Sequence, residues 1–217
     1  TLDWVPEFAQ GLVRDLRARW ALEEAGLPYE VRLIGGRGQY TPDYLAQQPF
    51  GQVPVIEDGG LALFESGAIV LHVGEKSEAL LPRDAEGKAR ATAWVFAALN
   101  SVETHLSPLG TIDFFSEGEE WARLRRPGVV EALKERLDRL AGWLEGREWL
   151  EDRFTAGDLM MSSVLRILRH TDIVDQTPNL AAYRARCEAR PAFQKALADQ
   201  MAAFASAEAA RQQRGAA

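Results

Sequence analysis

The sequence predicts an α+β domain over residues 1–80, followed by an all-helical domain over residues 86–217. Short apolar runs bounded by Gly and Pro occur only in the first 80 residues, and they alternate with helical patterns. From residue 86 onward the apolar residues recur with a helical period. The segment Leu81-Pro82-Arg83-Asp84 between the two parts is typical of a linker. The predicted order in the first domain is βαβαββα.

The first domain is predicted to open with a βαβ unit. Leu2–Val5 is a short apolar run that Pro6 ends, and a helical pattern runs from Gly11 to Gly26. Tyr29–Leu33 alternates apolar and charged residues, which indicates a half-buried strand. A right-handed crossover would make these two strands parallel.

The second part of this domain is predicted to be a hairpin and a helix. Val53–Glu57 and Leu61–Phe64 are strand patterns joined by Asp58-Gly59-Gly60, which is a strong turn signal. Before them, Thr41-Pro42-Asp43 is typical of a helix start with proline at the first position. A further helix is expected from Ser66 to about Lys76.

The helical half carries two patterns that predict core packing and a helix start. Thr155-Ala156-Gly157-Asp158 fits a capping box, and Phe154 and Leu159 lie where a hydrophobic staple would pack. An apolar stripe with 4-3-4 spacing indicates the buried face of a helix; it consists of Leu133, Leu137, Leu140 and Leu144.

Composition excludes several classes of protein. The chain has 217 residues, and its 47% apolar and 26% charged fractions are those of a soluble globular protein. A net charge of −7 without a Lys/Arg cluster argues against nucleic-acid binding. No apolar run is long enough to span a membrane, and Asp3 and Glu7 interrupt any signal-peptide core. A single cysteine, Cys187, excludes an intrachain disulfide and a thiolate-rich zinc site. We therefore expect a cytoplasmic protein.

Two motifs in the first domain could bind a peptide-like ligand. Pro54 begins a strand and cannot donate to a neighbouring strand, so an edge is expected there. A cis Val53–Pro54 bond would turn the backbone of Val53 outward, although an ordinary trans proline fits the sequence as well. Ser66 is predicted to cap a helix whose N–H groups and dipole would attract a carboxylate. Plain helix capping is the alternative for Ser66.

Other patterns of enzyme chemistry are missing. The sequence contains no G-x-S-x-G, H-E-x-x-H, Walker A or G-x-G-x-x-G motif, which disfavours metal and nucleotide enzymes. The three histidines, His72, His105 and His170, are far apart in the sequence. The loop Arg37–Tyr40 offers polar side chains, as loops usually do.

Four stretches of the chain, taken in their order along the sequence, resemble the cytosolic glutathione transferase family. The resemblance covers nearly the whole chain. The stretches are Ala21–Glu30, Gln48–Pro54, Phe64–Ile69 and Asp152–Asp158. The resemblance implies a thioredoxin-like first domain, a helical second domain, a role in detoxification and a homodimer. It also implies glutathione as co-substrate, with no metal.

The resemblance further implies a set of glutathione-binding residues. Pro54 would be cis, and the backbone of Val53 would pair with the cysteinyl part of glutathione. Ser66 would bind the γ-glutamyl carboxylate and Glu65 would lie near the ammonium group. Gln52 matches a position that contacts glutathione, and Gln39 lies where relatives place a polar residue near the glycyl carboxylate.

The chain departs from the family pattern at the residue that activates the thiol. Family members carry Tyr, Ser or Cys just after the first strand, whereas Trp4–Arg14 contains neither a hydroxyl nor a thiol. A helix N-terminus lowers the pKa of a thiol without any side chain. We therefore expect the backbone N–H groups of Gly11 and Leu12, with the amide of Gln10, to stabilise the thiolate; an ordinary exposed Gln10 is the alternative.

The expected reaction is transfer of the glutathione thiolate to a small electrophilic, apolar substrate. This second substrate would lie between the domains, with Ser101, His105 and Leu109 as candidate lining residues. A non-catalytic glutathione-binding or protein-interaction module is the alternative that the missing hydroxyl favours. A thiol–disulfide oxidoreductase would need an active-site cysteine, and Cys187 lies late in the helical half.

Overall fold

The computed structural model describes residues 1–215, which form two compact units. One unit comprises residues 1–80 together with the chain from Arg190 onward, and the other comprises Leu81–Ala189. The first unit is a small thioredoxin-like arrangement of helices and a sheet, and the second is helical. The final helix thus groups with the first unit, whereas we expected residues 86–217 to form one domain; residues 216 and 217 lie outside the described residues.

The first unit contains two strands and four α-helices among the described residues. The strands are β1 (Val55–Asp58) and β2 (Leu61–Phe64). The helices are α1 (Asp15–Ala25), α2 (Pro42–Leu45), α3 (Ser66–Gly74) and, at the end of the chain, α9 (Pro191–Gly215). A 3₁₀ turn at Gly38–Tyr40 precedes α2, and another occupies Glu7–Ala9.

The predicted βαβ unit is reduced to a single parallel bridge, which keeps the predicted βαβαββα order but shortens its first two strands. Leu2 pairs in parallel with Ile34, and the Asp3 N–H donates to the Ile34 carbonyl at 3.0 Å. The Tyr29–Leu33 backbone is not paired as a strand within the described residues, and Val31 and Leu33 remain exposed. A cavity of about 1430 Å³ is lined by residues 29–35 and by β1.

The predicted hairpin is confirmed. β1 and β2 pair antiparallel, and Gly59 and Gly60 form the turn with φ of 58° and 90°. Both residues have the positive φ that glycine adopts without steric penalty. β1 begins at Val55 rather than at Val53, because the two preceding residues belong to the loop that contains Pro54.

Helix α1 is the buried centre of this unit. Its first residue is Asp15, so the predicted start at Gly11 was wrong; residues 10–14 form turns instead. The indole of Trp20 is fully buried and packs edge-on against Phe193 of α9, with ring centroids 4.8 Å apart. Arg190 donates to both carboxylate oxygens of Glu24 at 2.5 and 2.8 Å, which joins the end of α1 to the start of α9.

The second unit is built from helices. They are α4 (Ala85–Phe96), α5 (Thr104–Phe115), α6 (Glu120–Trp143), α7 (Ala156–Leu165) and α8 (Pro178–Glu188). A π-helical segment, Ala97–Glu103, connects α4 to α5, and Pro108 lies inside α5. The predicted leucine stripe is buried, as expected for core residues, and the predicted capping box at Thr155 is present. No helix within residues 1–215 is both long and apolar enough to cross a membrane.

Candidate functional site

The hairpin brings the two ligand-binding motifs of the sequence together. Its register pairs Val55 with Phe64. Pro54 directly precedes the first of these residues and Glu65 directly follows the second. Since paired residues of antiparallel strands have Cα atoms about 5 Å apart, Val53-Pro54 and Glu65-Ser66 leave the same end of the sheet side by side.

The loop before β1 is held by polar contacts. The Gln48 carboxamide is buried, and its Oε1 accepts hydrogen bonds from the N–H groups of Phe50 at 2.7 Å and Gln52 at 3.2 Å. The Tyr44 hydroxyl donates to the Gln52 carbonyl at 2.6 Å. Burial raises the pKa of Tyr44, so the hydroxyl stays protonated as a donor. These contacts fix the backbone immediately before Val53.

Val53 presents open backbone groups at this position. The Val53–Pro54 peptide bond is cis, as the resemblance implied. Neither the N–H nor the C=O of Val53 has a hydrogen-bond partner within residues 1–215. Val53 is half-buried, so an extended ligand can reach these groups from outside.

Two glutamines predicted as ligand contacts lie on neighbouring parts of the chain. Gln39 belongs to the 3₁₀ turn, and its carbonyl is among the closest atoms to the position that a Cβ on Gly51 would occupy. The Oε1 atom of Gln39 is buried and has no hydrogen-bond partner among the described residues. Gln52 is exposed next to Val53. The 3₁₀ turn therefore packs Gln39 against the loop at Gly51, two residues before Val53.

The start of α3 is an uncapped helix end. Ser66 was predicted to be the N-cap, but Glu65 takes that position with φ 68°, and Ser66 is the first helical residue. No side chain among the described residues caps the helix. The N–H groups of Ser66, Gly67 and Ala68 have no acceptor within residues 1–215. Three free donors at the positive end of a helix favour an anionic ligand.

A buried arginine, which no sequence motif indicates, lies directly behind this helix end. The Nη1 atom of Arg17 donates to the Ser66 hydroxyl at 3.2 Å, and both residues are about 4% exposed.

The predicted thiolate-stabilising residues lie in the turn that leads into α1. The Leu12 N–H donates to the Ala9 carbonyl at 2.9 Å, so this group is already occupied, which corrects its expected role as a free donor. Gly11 is buried with φ 75°, and the Gln10 N–H donates to the Glu7 carbonyl at 3.1 Å. Asp15 places a carboxylate in the first turn of α1, where Arg19 neutralises it at 2.7 Å.

The candidate lining residues for a second substrate lie in the second unit. Ser101 is exposed in the π-helical segment, a type of segment that is frequent at functional sites. His105 is half-buried, and its Nδ1 lies 3.3 Å from the Thr104 hydroxyl. Leu109 is fully buried, so a ligand would reach it only after its neighbours move.

The remaining reactive side chains have structural partners. Cys187 is fully buried, and burial raises the pKa of its thiol to about 12, so it remains protonated at neutral pH. His72 contacts Asp58 at 2.6 Å and His170 contacts Asp113 at 3.1 Å. Among the described residues, no group of three or more His, Cys, Asp and Glu side chains is arranged to hold a metal ion.

Comparison with known proteins identifies the family of the chain. The family model of the glutathione S-transferase N-terminal domain matches residues 10–75, and that of the C-terminal domain matches residues 126–191. The chain is 35% identical over 192 residues to glutathione S-transferase 4 of Zea mays, covering 82% of this chain and 85% of that protein.

A second relative and a solved structure extend the comparison. The disulfide-bond oxidoreductase YfcG of Escherichia coli (strain K12) matches at 38% identity over 84 residues, which is 35% of this chain and 39% of that protein. A glutathione transferase from Burkholderia graminis, solved with two glutathione molecules bound per subunit, superimposes with a TM-score of 0.78 at 30% identity, covering 86% of this chain and 84% of that one. The chain therefore belongs to the glutathione S-transferase family and is a glutathione-dependent transferase.

Proposed function

We propose that glutathione binds across the end of the hairpin, with its cysteinyl part paired to the backbone of Val53. The γ-glutamyl carboxylate accepts hydrogen bonds from Ser66 and the N–H groups that follow it, and Glu65 lies near the ammonium group. Gln52 and Gln39 contact the remainder of the peptide toward the glycyl carboxylate. The observation that carries this placement is the pairing of Val55 with Phe64, which sets an open peptide edge beside an uncapped helix end.

The thiolate is stabilised in this proposal by the turn that leads into α1 rather than by a hydroxyl or thiol side chain. The chain from Pro6 to Arg14 contains neither group. Gln10 and Gly11, which lie in this turn, are the proposed contacts. The Leu12 N–H is bound to the Ala9 carbonyl. The salt bridge between Arg19 and Asp15 offsets the negative charge that would otherwise oppose a thiolate at this helix end.

The electrophile in this proposal is small and apolar, and Ser101, His105 and Leu109 are its candidate contacts. The glutathione sulfur attacks the electrophilic carbon, a carbon–sulfur bond forms, and the leaving group departs with the electron pair of its bond. The reaction needs no metal or redox cofactor from the protein, because glutathione supplies the nucleophile.

Binding measured by calorimetry tests the placement of the γ-glutamyl carboxylate. Ser66→Ala removes a hydrogen bond to a charged group, so we expect affinity for glutathione to fall roughly ten- to a hundredfold. Ser77→Ala is the matched control, since Ser77 accepts a hydrogen bond from the Ala79 N–H in the same unit but is not a site residue. Unchanged affinity in the Ser66 variant would contradict the placement.

A second candidate reaction is reduction of disulfides by two glutathione molecules. It is favoured by the missing side-chain nucleophile together with the similarity to a disulfide-bond oxidoreductase and to a structure that holds two glutathione molecules. One glutathione thiolate attacks a sulfur of the substrate disulfide and expels the other sulfur as a thiolate. The second glutathione then attacks the glutathione sulfur of the mixed disulfide, which yields glutathione disulfide and releases the second substrate thiol.

Paired rate measurements on the same preparation separate the two reactions. One assay follows conjugation of glutathione to a nitro-activated aryl halide, and the other follows formation of glutathione disulfide from a small dialkyl disulfide. A transferase gives the higher enhancement over the uncatalysed rate in the first assay. A second-assay rate equal to background would contradict disulfide reduction, whereas a rate clearly above background would add that reaction to the transferase activity.

We further propose that the protein is a homodimer that acts in detoxification in the cytoplasm. Glutathione keeps that compartment reducing, which suits a chain whose Cys187 is a free thiol. The exposed ring of Phe50 supports the dimer, because large apolar side chains at the surface often mark contacts with another protein.

A further inference from the structure

Gln200 of α9 is a buried glutamine that binds the turn leading into α1. Its side chain is 1% exposed, and its Nε2 donates to Oδ1 of Asp15 at 2.6 Å and to the Val13 carbonyl at 3.3 Å. Asp15 is the first residue of α1, and Val13 belongs to the turn. These two hydrogen bonds therefore join the last helix of the chain to the turn that contains Gln10 and Gly11, across 185 and 187 positions of sequence.

Only the amide nitrogen of Gln200 suits this position, because both of its neighbours are acceptors. A carboxamide NH₂ group has two protons to donate, whereas a carbonyl and an ionised carboxylate only accept. Both protons are used, and the Oε1 atom of Gln200 is buried without a hydrogen-bond partner among the described residues. A buried acceptor without a partner destabilises a protein. This polar side chain therefore has a cost in stability, and within residues 1–215 its hydrogen bonds are made only to Val13 and Asp15.

The Asp15 carboxylate is a buried negative charge four positions after Gly11. Arg19 donates to its Oδ2 at 2.7 Å and Gln200 to its Oδ1, so each oxygen has a donor. A negative charge near a thiol disfavours the thiolate and raises the pKa of the thiol. Donors to the carboxylate compensate part of that charge, and they do so more strongly where water is excluded. Glu7, before the turn, is exposed, so solvent screens its charge.

We propose that Gln200 is a positioning residue for thiol activation. It holds the turn against α9 and compensates the Asp15 carboxylate, so that the turn can stabilise the thiolate of glutathione. The hydrogen bond to Asp15 is the shorter of the two and is made to a charged group, so the larger part of the effect passes through Asp15. This inference rests on the proposed function, since it assumes that the glutathione sulfur lies at this turn.

The experiment measures the pKa of the glutathione thiol bound to the wild-type protein and to Gln200→Met. Methionine has a similar length and cannot donate a hydrogen bond. We expect the pKa of the bound thiol to rise by about half a unit to one unit in the variant. Affinity for S-methylglutathione, which has no thiol to ionise, should stay within about twofold of wild type. The titration reports only on bound glutathione, so a lower stability of the variant leaves this pKa unchanged.

Two further variants separate the proposed role from a general loss of structure. Gln212→Met is the matched control, because Gln212 lies on the same helix and donates to Glu208 at 3.3 Å but is exposed. The thiol bound to this variant should keep the wild-type pKa. Asp15→Asn removes the negative charge, so the pKa of the bound thiol should fall below the wild-type value. A general loss of structure would not shift the pKa in opposite directions in Gln200→Met and Asp15→Asn.

A double-mutant cycle tests the route through the carboxylate. In the Asp15→Asn background, Gln200→Met should shift the pKa of the bound thiol by less than half of its shift in the wild-type background. Equal shifts in both backgrounds, or a Gln200→Met variant with the wild-type pKa, would overturn the inference while leaving thiol activation intact. Wild-type protein whose bound glutathione titrates like the free peptide would instead contradict the proposed function, and this inference with it.

Discussion

Gly51 lies in the loop that precedes the proposed glutathione contacts. Its backbone has a left-handed conformation, and the residue is in close contact with the ring of Tyr40. Its φ is 63°, and a Cβ at this position would lie 2.6 Å from Cε1 of Tyr40. Both constraints exclude larger residues. Residues other than glycine rarely adopt this backbone conformation, and a larger side chain would require the Tyr40 ring to move. Gly51 therefore keeps the 3₁₀ turn packed against the loop.

Gly51→Ala is expected to destabilise the protein by about 2–3 kcal/mol, from backbone strain together with the clash, and to weaken glutathione binding. Gly59→Ala is the matched control. Gly59 has φ 58°, but no atom lies within 4 Å of the position that its Cβ would occupy, so its substitution should cost only about 1 kcal/mol. Urea unfolding measures both. If both substitutions lower the free energy of unfolding equally, the contact with Tyr40 makes no difference to stability.

The proposed ligand contacts at the end of the hairpin lie at positions that residue patterns mark in the sequence. Val53-Pro54 and Glu65-Ser66 are each marked by proline or a small residue at an element boundary, and the hairpin turn sets their register. Arg17 could not be assigned in this way, because its partner lies 49 positions away and only the packing of α1 on α3 brings them together. The N-cap position was also misassigned, since Glu65 with φ 68° occupies it.

Among the helices of the second unit, the start of α7 is held by one buried carboxylate. Asp158 accepts hydrogen bonds from the N–H groups of Leu150 and Thr155, both at 2.9 Å, and from the Tyr183 hydroxyl at 3.0 Å. The Thr155 hydroxyl donates to it at 3.2 Å. One side chain thus caps the helix, anchors the preceding loop and reaches α8.

Asp158→Ala is expected to destabilise the protein by about 3 kcal/mol or more, because it leaves several buried donors without an acceptor. Asp84→Ala provides the comparison: Asp84 caps α4 through a single exposed hydrogen bond from the Gly87 N–H at 2.7 Å, and its loss should cost about 1 kcal/mol. Denaturant unfolding of both variants measures the difference. A smaller loss for Asp158→Ala than for Asp84→Ala would show that the buried carboxylate does not hold the start of α7.

The contact between α5 and α6 predicts a dependence of stability on pH. The hydrogen bond from Arg126, and then that from His170, holds the pKa of Asp113 below its usual value. A carboxyl whose pKa is lowered by folding stabilises the protein above its unfolded pKa of about 3.8, and this contribution is lost as pH falls through the folded value.

Asp113→Asn should therefore lower the free energy of unfolding by about 1 kcal/mol at pH 7, and the difference from wild type should narrow below about pH 4. Urea unfolding at several pH values measures it. Asp43→Asn is the control, since Asp43 is exposed in α2 and has no ion pair within the described residues. A difference in the free energy of unfolding between Asp113→Asn and wild type that stays constant down to about pH 3 would contradict the stabilising role of the Asp113 carboxylate.

The strands of the first unit show which elements could not be predicted from the sequence. The hairpin is local and carries its own turn signal, so it was predicted correctly. The strand patterns at Leu2–Val5 and Tyr29–Leu33 require pairing across α1, and within residues 1–215 only the bridge between Leu2 and Ile34 is formed. Alternation of residues indicates that a segment can be extended, but pairing depends on a neighbour at the correct distance.

The assembly of the protein into the proposed homodimer can be tested directly. Light scattering coupled to size exclusion should give twice the mass of one chain. Phe50→Asp should shift the protein toward the monomer, because it places a charge where Phe50 is 67% exposed beside Phe64. Gln213→Asp is the control, at an exposed polar position on α9. A wild-type monomer at micromolar concentration would contradict the dimer.

The protein is expected to bind glutathione and to lower the pKa of its thiol without a hydroxyl or thiol side chain. A spectroscopic pH titration of glutathione bound to the purified protein, with free glutathione as control, measures this pKa. The free thiol titrates near about 8.5, and we expect the bound thiol to titrate a unit or more lower. Bound glutathione with the pKa of the free peptide would contradict activation by the turn that leads into α1.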